Sequence, residues 1–94
     1  MSVYVDPLFK VPAGRGAWKW GEACHLVADS LDELHAFAKR LGLAGEWFQA
    51  RKGAPHYDLT AGRRILAVKF GAKELTAREM VERMKAKREE AANA

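Results

Sequence analysis

A chain of 94 residues with 49% apolar residues and a formal net charge of +4 has the size and make-up of one small globular domain. Composition excludes a disordered chain, the aliphatic runs (the longest in a helix candidate is "ILAV") are too short for a membrane span, and a single cysteine, Cys24, excludes an internal disulfide. The basic balance, with a sequence pI of about 9.5, favours anionic partners such as nucleic acid or nucleotides. The opening "MSVYVDPLFK" lacks the pattern of a signal peptide, so a soluble protein of a reducing, cytoplasmic compartment is expected. Cys24 sits inside an apolar run and reads as a small buried hydrophobe rather than a reactive thiol.

In chain order, "SVYV" alternates and carries β-branched residues, which suits a short strand ending at Asp6, where Pro7 blocks the ladder. Residues 12–21, with Gly14, Gly16 and Gly21, read as a loop; Trp18 and Trp20 lie two apart within it, so an extended path puts both rings on one face. "ACHLVA" reads as a second strand. Ser30-Leu31-Asp32-Glu33 is a capping box, and Leu31, Leu34, Ala38 and Leu41 form a helical stripe that stops at Gly42. "EWFQ" reads as a third short strand, "ARKGAP" as a polar turn and "HYDL" as a fourth strand. Thr60 caps a helix carrying Ile65, Leu66, Val68 and Phe70 and ending at Gly71. "AKEL" reads as a last strand. Thr76-Ala77-Arg78-Glu79 is a second capping box, opening a helix with Met80, Val81 and Met84 on one face. After Met84, "KAKREEAANA" is charged or small throughout. The expected organisation is therefore a compact domain over residues 1–84 and a charged, fraying helical extension over 85–94.

Successive strand-to-capped-helix units imply an α/β domain: a short parallel or mixed sheet packed with roughly three helices. In such a sheet strand C-termini and helix N-termini share one edge, where ligands bind. Asp6, Asp29 and Asp58 fall near strand C-termini, and helices opening at Ser30, Thr60 and Thr76 would direct N–H groups to the same edge.

The segments "VYVD", "HLVADSLDELHAFAKRLGL", "WFQ", "HYDLT" and the "GA" after the second helix, in that order and spacing, resemble a family of small bacterial and phage proteins, domain of unknown function 4031. The resemblance covers residues 2–78, with "KVPAGRGAWKWGEA" in the place where members carry a basic segment. It implies a stand-alone domain of phage and bacterial cytoplasm with a variable charged C-terminus. It brings no chemistry, so function rests on the residues.

His25 and Asp29 share strand parity with Val27, as His56 does with Asp58; His25, Asp29, His56 and Asp58 with Asp6 form a candidate acid–base or metal set, because imidazole and carboxylate suit divalent metals. The spacings match no HExxH or Cys/His zinc signature. Clustered carboxylates at Asp6, Asp29 and Asp58 could hold a magnesium ion for phosphoryl chemistry; singly, each reads as a turn or cap residue. Arg63 and Arg64 stand in the first turn of a helix, where positive charge opposes the dipole unless an anion offsets it. With Trp18, Lys19, His56 and Tyr57, they are candidate ligand-binding residues, since bases stack on aromatics set among cations. Binding of nucleic acid or a nucleotide-like anion is the first functional expectation. A metal-dependent phosphodiesterase or nuclease is the alternative, and a protein-interaction module using the last helix is a third class.

Overall fold

The computed structural model describes residues 2–12, 20–50 and 54–93. Trp18 and Lys19, like Arg15, Arg51 and Lys52, lie outside the described residues.

Strand β3 (Glu22–Ala28) is the hub of a mixed, five-stranded sheet. Along one edge it pairs antiparallel with β1 (Val3–Val5) and β2 (Phe9–Lys10); along the other it pairs antiparallel with β4 (Tyr57–Leu59). Strand β5 (Lys73–Glu74) joins the far side of β1 in parallel. Three helices complete the described domain: α1 (Leu31–Arg40), α2 (Ala61–Lys69) and α3 (Ala77–Asn93).

Alternation along the strands sorts residues between two faces. Val5, Cys24, Leu26, Tyr57 and Leu59 turn to one face and form the core with Leu34, Phe37, Ala38 and Leu41 of α1 and Ala67 of α2. Tyr4, His25, Val27, His56 and Asp58 have the opposite parity. At one end of that second face, α3 packs over the sheet: Arg83 lies 3.9 Å from the Tyr4 ring centroid, and Arg83 and Met84 share a small cleft with Val27, Ala54 and Pro55. The other end of this face, at His25, is left partly open.

The helix caps match the expectation from sequence. The Ser30 hydroxyl accepts from the Glu33 N–H at 3.2 Å and Thr60 Oγ1 accepts from the Arg63 N–H at 3.2 Å. Thr76 and Glu79 bond reciprocally through N–H and side chain in both directions. In the first box the glutamate accepts from the Ser30 hydroxyl rather than from a backbone N–H. Gly42 and Gly71 take φ of 77° and 108° just beyond α1 and α2, left-handed values that let the chain turn off a helix.

Three expectations change. "EWFQ" is not a strand: Gly45–Trp47 form a 3-10 turn, and Gln49 alone contributes a bridge to His56. Val81 is 62% exposed while Met80 is buried: successive helix residues point about 100° apart, and the face of α3 turned to the protein takes Met80 and leaves Val81 outside it. The shared ligand edge is also incomplete: β1, β4 and β5 end at one edge, but β3 runs antiparallel to them and carries Asp29 and Ser30 to the opposite one. The ends of β1 and β3 therefore lie at opposite ends of the pair, separating Asp6 from Asp29.

A candidate metal centre

A bulge builds the first half of the site. Val5 pairs with Leu26 and Phe9 with Ala23, so Asp6, Pro7 and Leu8 oppose only Cys24 and His25. Pro7 has no N–H for the ladder, and the extra residue re-aims its neighbours. The Asp6 side chain substitutes for the missing ladder bond: Oδ1 accepts the His25 backbone N–H at 2.6 Å and Oδ2 meets His25 Nδ1 at 2.7 Å. The displaced Asp6 carbonyl accepts from Arg64 Nε at 2.7 Å. Asp6 is 5% exposed, so this carboxylate is buried with its acceptors in use.

Strand register brings in the second half. His25 stands opposite Asp58 across β3 and β4. The His25 N–H points to Asp6, away from β4, which makes this a non-hydrogen-bonded pair, the kind whose side chains come closest. His56 lies two residues before Asp58 on the same face. Its ring meets the His25 ring edge-on at a centroid distance of 5.2 Å, and its Nε2 is 3.7 Å from Asp58 Oδ1. On the outer edge, Gln49 exchanges both backbone bonds with His56, each 2.9 Å, and its side-chain amide donates to Asp58 Oδ2 at 2.5 Å.

The hydrogen bonds assign the ring protons. His56 Nδ1 lies 2.9 Å from the Ala54 carbonyl, which can only accept, so Nδ1 carries hydrogen, and in the neutral ring the lone pair is on Nε2. His25 Nδ1 is likewise the donor toward Asp6, leaving Nε2. One ligand atom from each of His25, His56 and Asp58 lies within 4.8 Å of the others. Bonds of about 2.1 Å place the ligands of one ion roughly 3–4 Å apart, so loading asks these side chains to draw in by about an ångström. Each ligand has its own outer partner (Asp6, the Ala54 carbonyl, Gln49), the arrangement that fixes tautomer and orientation at metal sites. Side-chain exposures of 27%, 13% and 26% leave the three reachable from solvent but largely desolvated. Burial pulls the His25 pKa down, yet the hydrogen bond to Asp6 and the charges of Asp6 and Asp58 outweigh it and raise it above 6.5. The negative field that favours a proton there also favours a metal cation. The Phe9 ring, 39% exposed, stacks 5.0 Å from His25 and walls one side.

The other candidates lie elsewhere. Asp29 binds the Ser2 N–H at 2.9 Å, the Tyr4 hydroxyl at 3.1 Å and the Arg83 guanidinium, which anchors α3. The three aspartates do not share one ion. Tyr57 faces the core, 2% exposed, with its hydroxyl 2.9 Å from His35 Nδ1. Arg64 spans from α2 to the Asp6 carbonyl and to Glu74 at 3.1 Å, so its charge is met by protein groups. Arg63 Nη1 is buried, beside the Gly42 turn that follows α1. Gln49 was missed in the sequence: an amide has no metal-site signature, and its place follows only from the bridge to His56.

No curated protein and no solved structure matches the chain. A family model described as protein of unknown function (DUF4031) matches residues 3–87, nearly the whole chain and through most of α3. The two histidines, Asp58 and their partners all fall inside that match, and the chain belongs to the DUF4031 family.

Proposed function

We propose that this domain is a metal-dependent hydrolase that holds one divalent transition-metal ion at His25, His56 and Asp58 and cleaves a phosphodiester of nucleic acid or a nucleotide-like ester. The observation that carries the reading is the convergence of two imidazole nitrogens and one carboxylate oxygen, each braced by its own partner. Two histidines and a carboxylate suit zinc, iron or manganese better than magnesium, which prefers an oxygen shell. Three protein ligands leave a position for water, whose pKa a bound zinc lowers to about 7. An ion held by His25, His56 and Asp58 would supply Lewis acidity and an activated water; in the hydrolysis the phosphorus–oxygen ester bond breaks, the hydroxyl of water goes to phosphorus and its proton to the departing oxygen. Water is thus split between a phosphomonoester and an alcohol.

Charge supports an anionic substrate. Residues 10–21 carry Lys10, Arg15 and Lys19 with no carboxylate, and residues 50–55 carry Arg51 and Lys52 with none. By connectivity the first stretch leads from Phe9 into β3 and the second from Gln49 to His56.

The test is metal content by mass spectrometry after chelator-free purification, then hydrolysis of bis(p-nitrophenyl) phosphate and a labelled single-stranded oligonucleotide with zinc, manganese or magnesium. The expected result is about one transition-metal ion per chain and turnover that chelation or His56→Ala removes. Tight, metal-independent oligonucleotide binding without cleavage would replace this reading with a plain nucleic-acid-binding module.

A further inference from the structure

We infer that Gln49 is a positioning residue that keeps Asp58 a one-oxygen ligand and so preserves the open coordination position; this rests on the metal reading above. An ionised Asp58 only accepts hydrogen bonds, so the Gln49 atom 2.5 Å from Oδ2 is its amide nitrogen. That bond occupies Oδ2, while Oδ1 is the oxygen turned toward His56 Nε2. A carboxylate free at both oxygens can chelate an ion through both. Chelation here would fill the position that a reacting water needs. The amide also removes the rotational freedom of Asp58 about its last bond, which would otherwise have to be frozen on binding.

Gln49 is well placed for this task because its backbone does separate work. Its N–H and carbonyl exchange two bonds of 2.9 Å with His56. The strand bridge that locates His56 therefore does not depend on the side chain, and substituting the side chain isolates the contact to Asp58. The residue belongs to neither a regular strand nor a helix, and the 3-10 turn at Gly45–Trp47 sets its approach to the edge of β4.

The experiment uses Co²⁺ as a spectroscopic probe in the full chain, comparing wild type with Gln49→Leu and Gln49→Met. Affinity is read by titration, and geometry by the intensity and position of the visible d–d bands, which are stronger for four-coordinate than for five- or six-coordinate cobalt. Both variants should fold, with the metal-free melting temperature close to wild type. They should bind Co²⁺ about tenfold to a hundredfold more weakly. Their bands should weaken as Asp58 takes the ion with two oxygens. A wild type that binds Co²⁺ and variants with the same affinity and the same bands would overturn the role of Gln49 while leaving the metal site standing. A wild type that does not bind Co²⁺ at all would overturn both. If one variant fails to fold, the other decides between these outcomes.

Discussion

At the scale of single residues, Asp6 does the most with the fewest atoms: it closes a bulge, holds the His25 ring and places a negative charge beside the proposed metal ligands. Asp6→Ala would leave the His25 N–H without its acceptor in a partly buried place, at a cost of about 1–3 kcal/mol in urea unfolding. Asp6→Asn keeps an acceptor but loses the charge, so it should fold better than the alanine variant and still lose about tenfold to a hundredfold in zinc affinity by calorimetry. Cys24, next along β3, gives a separate check. Burial and then the charge of Asp6 push its thiol up to about 12, against an opposing pull from Arg64 and with a lesser push from Asp58. At pH 8 it should react with a disulfide reagent only as fast as the domain opens, and at once in denaturant. Residue types were the part of the site legible in the sequence: Asp6, His25, His56 and Asp58 stand out as imidazole and carboxylate at strand parity. What could not be read was which members of that set stand together. Asp29 has the same parity as His25, yet it serves α3, because Arg83 reaches it from a helix 54 positions later.

At the scale of elements, the helices were legible because their ends carry local chemistry. Ser30, Thr60 and Thr76 each cap within four residues, and Gly42 and Gly71 end what they follow. Ser30→Ala should therefore cost about 1 kcal/mol in thermal unfolding and leave metal affinity unchanged, since α1 lies on the sheet face away from His25 and His56. The strand partners were not legible. A two-residue β2 has no period to recognise, and antiparallel pairing across β3 depends on contacts distant in sequence. Beyond Met84 the last helix continues to Asn93, and Lys87 Nζ donates to the Asp29 carbonyl at 3.1 Å. Burial alone would raise the Asp29 pKa, but bonds from Tyr4, Ser2 and Arg83 prevail and hold it below 3.8. A carboxyl depressed in the folded state contributes stability that is present above its unfolded pKa and lost as pH falls through the folded one. Acidification below about pH 4 should thus release α3, and Asp29→Asn should flatten that acid limb. Hydrogen exchange along α3 measures both.

At the scale of the whole molecule, a domain this small has little core to spare, and an ion that binds only the folded state adds directly to its stability. The proposed ligands come from two strands joined through the centre of the sheet, His25 from β3 and His56 and Asp58 at β4, with Gln49 and Asp6 bracing from either edge. Unfolding separates all of them, so the unfolded chain cannot offer the same site. Zinc at a hundred times its dissociation constant should then stabilise the fold by about 2.7 kcal/mol. For a domain of this length that is a rise of roughly 10–20 °C in melting temperature. The rise should grow with the logarithm of zinc concentration, reverse on adding a chelator, and vanish in His56→Ala. The metal-free melting temperature of that variant separates the two jobs of His56. If it falls by no more than a few degrees, the ring serves the ion; if it collapses and zinc still stabilises what remains folded, the ring is packing and the ligands are others. Magnesium at the same concentration is the internal control. With two of three donors imidazole nitrogens, it should leave the melting curve where it was, and an equal shift with magnesium would mean that the ion binds at carboxylates elsewhere on the surface.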